Sequence, residues 1–157
     1  MILKLIVLLL FTASLAFGQS TRHRHRQRHK AGPSRPHSSA KTESTGLVRL
    51  TENLRAQGGT VALTRERVSQ PFFPVAGRII NINGEALQVF EYATPAAASA
   101  QATRVSADGT TIGTSKPTWM ATPHFFKSGK LIVFYIGGNL TIVELLRTTL
   151  GSQFAGG

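Results

Sequence analysis

From Gly46 onward the apolar residues recur at helical spacing, with Leu47, Leu50 and Leu54 about a turn apart before Gly58-Gly59 offers a left-handed stop. The spacing predicts a short first helix. Residues 60–64 then alternate, with Val61 and Leu63 on one parity and Ala62 on the other, which predicts a strand. Asn83-Gly84 separates two further runs, residues 78–82 and 86–92. Its tolerance of positive φ suits a two-residue hairpin turn, so those runs should pair antiparallel. Thr94-Pro95 supplies an N-cap and a first-turn proline for an alanine-rich helix that runs to about Val105 and stops before Asp108-Gly109.

Two more apolar runs, residues 119–126 and 131–136, are joined around Ser128-Gly129, and the second is apolar on both parities. A strand apolar on both faces belongs near the middle of a sheet. Asn139 can cap a last helix whose Ile142, Val143, Leu146 and Leu150 form one stripe ending at Gly151. The predicted order is α-β-β-β-α-β-β-α: an α+β fold in two layers, a mostly antiparallel sheet of about five strands with about three helices on one side. Phe72-Phe73 before Gly77-Arg78-Ile79-Ile80 reads like Phe125-Phe126 before Gly129-Lys130-Leu131-Ile132. A duplicated unit or two similar hairpins would each give that pattern, and the match is too short to establish a repeat.

The chain before Gly46 follows different rules. Lys4, an apolar run over residues 5–11 that continues weakly to Leu15, and the small residues Ala16 and Gly18 have the form of a secretory signal peptide over residues 1–18. The alternative is an uncleaved anchor, but Thr12 and Ser14 interrupt a run already short of the roughly 20 apolar residues that span a bilayer. The expected address is extracytoplasmic, either periplasmic or secreted. Residues 19–45 carry almost no apolar side chains, so they cannot bury enough surface to offset the entropy of ordering and are expected to form a disordered arm.

Charge sharpens that division. The formal net charge is +11, of which residues 19–45 contribute +6, from seven Arg or Lys against Glu43. Residues 46–157, a length that suits one domain with a single modest core, contribute +4 from ten basic and six acidic residues. There is no cysteine, so no disulfide is available and no lipid can be attached through a cysteine after the signal.

In the arm, His23, His25 and His29 alternate with Arg22, Arg24, Arg26, Arg28 and Lys30. Three readings compete. The guanidinium groups would bind phosphate or sulfate of an anionic envelope polymer or a lipid headgroup, with salt-dependent affinity. The imidazoles would bind copper, nickel or zinc, although the surrounding positive charge opposes a cation. The third reading is a solvated linker without a specific partner. Export argues against nucleic acid as the anion, and a protein partner stays open.

The strings Gln70-Pro71-Phe72-Phe73, Val89-Phe90-Glu91-Tyr92, Asp108-Gly109-Thr110-Thr111-Ile112-Gly113, Pro123-His124-Phe125-Phe126 and Leu131-Ile132-Val133-Phe134-Tyr135 give residues 46–157 a resemblance to a family of small exported bacterial proteins, many of them lipoproteins. The resemblance implies an envelope or secreted setting. It brings no agreed activity and no catalytic residue.

Within the domain, His124 close after Trp119 is the candidate for acid–base chemistry or ligand binding, with packed structural histidine as the plainer reading. Asp108 begins a Gly/Thr-rich loop that either holds a polar ligand or turns the chain after the second helix; it lacks the lysine of a phosphate loop and the carboxylates of a calcium loop. Glu91 would have a raised pKa if buried, or would simply face water at a strand end. Phe72, Phe73, Trp119, Phe125 and Phe126 form either core or an exposed aromatic face for a sugar or peptide. No motif fixes a reaction or calls for a cofactor. The leading expectation is a non-enzymatic interaction module with an anion-binding arm; a small hydrolase using His124 with Asp108 or Glu91, and metal handling by the arm, are the alternatives.

Overall fold

A computed structural model of the protein describes residues 44–157. The signal segment and residues 19–43 of the arm, with Arg22, His23, Arg24, His25, Arg26, Arg28, His29 and Lys30, lie outside the described residues. Ser44 caps helix α1 (Thr45–Ala56), its hydroxyl accepting from the Leu47 amide. The helix turns Leu47, Leu50 and Leu54 inward, each burial contributing roughly 1.5–3 kcal/mol. Thr51 is buried with them, and its hydroxyl donates to the Leu47 carbonyl, so no orphan donor is enclosed.

Six strands follow: β1 (Val61–Val68), β2 (Gly77–Ile82), β3 (Glu85–Glu91), β4 (Pro123–Ser128), β5 (Leu131–Ile136) and β6 (Ala155–Gly156). They form one sheet in the order β1-β2-β3-β5-β4-β6, and every pairing is antiparallel. The fold is therefore α+β, as its patterning predicts, with one strand more than expected. Asn83 and Gly84 make the β2–β3 turn at positive φ, the conformation their sequence offered. Strand β5 lies between β3 and β4 with only Ile136 partly exposed, as its double-sided apolar pattern requires.

Helix α2 (Pro95–Ala102), capped by Thr94, follows β3 and precedes the long segment that leads to β4. Helix α3 (Leu140–Leu150), capped by Asn139, follows β5. The helices do not share one side of the sheet. Helices α1 and α3 cover one face, packing Leu50, Leu54, Ile142 and Leu146 on Ile80, Leu87, Val133 and Tyr135. On the opposite face Ala98 and Ala102 of α2 join Phe72, Phe73, Phe90, Ile112, Phe125 and Phe134. The physical reason is the parity of β5: Ile132 and Phe134 would be left bare unless a second layer covered them.

Other boundaries also move. Strand β1 continues through Arg65–Val68 across an irregularity between Leu63 and Arg67, which breaks the alternation the sequence was read by. Strand β4 starts at Pro123, leaving Trp119 in the preceding loop. The two Phe-Phe strings are not equivalent, since Phe72-Phe73 lie in a turn ahead of β2 whereas Phe125-Phe126 lie within β4. Among the described residues no helix is long and apolar enough to cross a membrane.

Candidate functional site

A cleft of about 430 Å³ opens between the start of α1, the β4–β5 turn and the end of α3. Thr45, Arg49 and Asn53 line it at four-residue spacing, which sets them on one stripe of α1. Ser128 and Gly129 of the turn face them, while Leu50, Leu131 and Leu150 supply apolar wall. Arg49 is exposed and makes no ion pair among the described residues. The Asn53 and Ser128 side chains make no hydrogen bond among the described residues, whereas the Thr149 hydroxyl is spent on the Leu145 carbonyl.

Glu91 stands at the back of this cleft. Its carboxylate accepts from Lys130 at 2.6 Å and from the Ser44 hydroxyl. Gly46 is what lets α1 come this close, because a Cβ there would sit 3.0 Å from the Glu91 oxygen and 3.2 Å from Leu131. The Glu91–Lys130 pair cancels its own charge, which leaves Arg49 as the cation of the cleft without an ion pair among the described residues. Sequence reasoning singled out Glu91 but missed Arg49, Asn53 and Ser128. The polar stripe alongside Leu47, Leu50 and Leu54 was the available signal; the approach of the β4–β5 turn was not visible.

His124 is buried on the α1/α3 face, its ring stacked on Tyr135 with centroids 5.7 Å apart. Its Nδ1 meets Gln153 Oε1 at 2.8 Å and its Nε2 meets the Gly137 carbonyl at 3.1 Å. Both nitrogens are thus engaged, one with the segment behind α3 and the other with the loop ahead of it. Tyr135 in turn donates to Glu85 at 2.5 Å, and Asn139 Nδ2 donates to the other Glu85 oxygen at 2.7 Å. These two hydrogen bonds hold the Glu85 carboxyl below the usual carboxylate range, against a smaller opposing effect of burial.

Asp108 closes its own turn. It accepts from the Ser106 hydroxyl at 2.6 Å and from both the amide and the hydroxyl of Thr110, and these bonds lower its pKa. Trp119 pins the same loop by donating its indole N–H to the Gly109 carbonyl at 2.9 Å. Phe72, Phe73, Phe125 and Phe126 are buried, so those four are core; Trp119 alone remains half-exposed, beside a groove that also contains the fully exposed Met120.

The acid partners that the sequence offered His124 are not beside it. Glu91 pairs with Leu131 and His124 with Tyr135, four residues along β5 or roughly 13 Å. The Asp108 loop lies over Phe125, on the face opposite to the one His124 occupies: Gly109 approaches the Phe125 ring, which belongs to the α2-side core. Among the described residues no group of three or more His, Asp or Glu side chains is placed to hold a metal ion. No protein-family model, no curated protein and no solved structure matches this chain.

Proposed function

We propose that the protein is an exported, extracytoplasmic binding module without catalytic activity, which holds to anionic envelope material through its basic arm and through the cationic cleft of its folded domain. The observation that carries this reading is the cleft itself: Arg49 lines it together with the polar side chains of Asn53 and Ser128, while the Glu91 carboxylate behind Gly46 is already occupied by Lys130 and Ser44. His124, Asp108 and Trp119 are engaged in local hydrogen bonds that position the backbone, which favours structural roles for them.

The arm supplies attraction at long range. Seven Arg or Lys between residues 19 and 45 create a potential that falls with ionic strength, and its histidines would add to it under mildly acidic conditions. The signal-like segment of residues 1–18 and the resemblance to small exported proteins support the location. The test compares the mature chain with one lacking residues 20–42, which keeps the Ser44 cap, for retention on anionic polymer and on vesicles containing anionic lipid, each at low and high salt. Deletion should remove most of the low-salt retention. Unchanged retention would refute the reading.

A further inference from the structure

Resting on that reading, we infer that the cleft between α1 and the β4–β5 turn is a short-range site for the phosphodiester headgroup of an anionic lipid, with Arg49 as its anchoring residue. Three features converge on this ligand. The first is charge: the Arg49 guanidinium is unpaired among the described residues, and its planar fork suits two oxygens of a phosphate. The second is donor placement. Asn53 lies one turn further along α1 and Ser128 lies across the cleft, so neutral donors flank the cation from two elements. Glu91, the carboxylate behind Gly46, is already held by Lys130 and Ser44.

The third feature is the wall. Leu50, Leu131 and Leu150 line the same cleft, and a volume of about 430 Å³ exceeds what an inorganic anion fills. A ligand with an anionic group and an apolar continuation uses both surfaces, whereas free phosphate uses only one. Lys130 is not an exchangeable partner, because Glu91 holds it at 2.6 Å. The arm and the cleft would then divide the work: the arm gives salt-sensitive attraction to any anionic surface, and the cleft gives recognition that survives higher salt.

The experiment uses the full mature chain with Arg49→Gln, and with Arg65→Gln as the charge-matched control. Arg65 is exposed on edge strand β1, away from the cleft, so both variants lose one positive charge and neither disturbs the core. The probes are neutral-lipid vesicles with and without an anionic phosphodiester lipid, the water-soluble deacylated headgroup, and inorganic phosphate. Arg49→Gln should weaken high-salt binding to the anionic vesicles about tenfold and abolish headgroup-induced amide shifts at Asn53 and Gly129; Arg65→Gln should do neither. Arg49→Lys should restore only part, because an ammonium lacks the two-pronged geometry. Equal effects of Arg49→Gln and Arg65→Gln would overturn the inference, as would shifts from inorganic phosphate as large as those from the headgroup. The parent reading fails separately, on unchanged low-salt retention after removal of the arm.

Discussion

His124 and Gln153 are joined through Nδ1 and Oε1 at 2.8 Å, and the second ring nitrogen of the same histidine meets the Gly137 carbonyl at 3.1 Å. One buried side chain thereby ties β4 both to the loop ahead of α3 and to the segment behind it. Gln153 passes the restraint on, since its amide nitrogen donates to the Gly156 carbonyl. Replacing His124 with Ala should cost about 1–3 kcal/mol, the range for leaving buried partners unsatisfied. The loss should be local as well as global. Amide exchange at Phe154 and Gly156, which donate to Phe125 and Ala107, should accelerate more than exchange in β5. Equal acceleration in β5 would contradict the restraint.

Tyr92 is buried, and its hydroxyl finds no hydrogen-bond partner among the described residues. Burial pushes its pKa up to about 12, with the Arg104 charge acting in the opposite direction. The folded state thus holds this proton more tightly than the unfolded chain. Its contribution is complete below the ordinary phenol value of about 10 and is lost as pH rises from there through the folded value. Tyr92→Phe should be neutral or stabilising by up to about 1 kcal/mol at pH 7, because no bond is broken and a buried orphan is removed. It should also flatten alkaline unfolding. Tyr135, also shifted upward, would account for the slope that remains. Unfolding curves collected between pH 9 and 12 decide the matter.

The same contrast between local and distant determinants explains what could be read from the chain alone. The caps Thr94 and Asn139, the Asn83-Gly84 turn and the central place of β5 are legible because each depends on neighbours in sequence or on one strand's parity. Strand β6 was not, since two residues in a Gly/Ser-rich tail show no alternation and pair only because His124 and Phe125 stand opposite. The placement of α2 on the far face also escaped, as its small alanines mark close packing without saying against which face. For the candidate site, Glu91 stood out beside aromatic residues, but its partners Lys130 and Ser44 arrive from other elements. Arg49 drew no notice because one arginine on an amphipathic helix ordinarily marks a solvated face.

Glu85 gives the domain an acid-sensitive tie between β3 and the start of α3. The Tyr135 hydroxyl, then the Asn139 amide, lower its pKa. A depressed folded-state value means that the stabilisation is present above the unfolded carboxyl value and is lost as pH falls through the folded one. Glu85→Gln should lower the melting temperature at pH 7 and weaken its dependence on acid. Asp108, likewise lowered by Ser106 and Thr110, should leave a residual acid limb that Asp108→Asn removes. Thermal melts of both variants and the double variant between pH 2 and 7 would measure this. An unchanged acid limb in the double variant would rule out these two carboxylates as its source.

Asn139 offers a sharper test, because two rules predict opposite outcomes for one substitution. Its side-chain oxygen accepts from the Thr141 amide as the cap of α3, while its nitrogen donates to Glu85 at 2.7 Å. By capping preference and the helix dipole alone, Asn139→Asp should be neutral or favourable. The geometry predicts the reverse. Aspartate would keep the cap but turn a donor into a second carboxylate facing Glu85, so two like charges would share one contact. Asn139→Asp should therefore melt below Asn139→Ser at pH 7, since serine caps without charge, and the gap should narrow as acid protonates the pair. Coupling to Glu85→Gln provides the check: with the facing carboxylate neutralised, Asn139→Asp should regain what it lost. If Asn139→Asp matches or exceeds Asn139→Ser at pH 7 with Glu85 intact, the Glu85–Asn139 contact does not hold the start of α3 in solution.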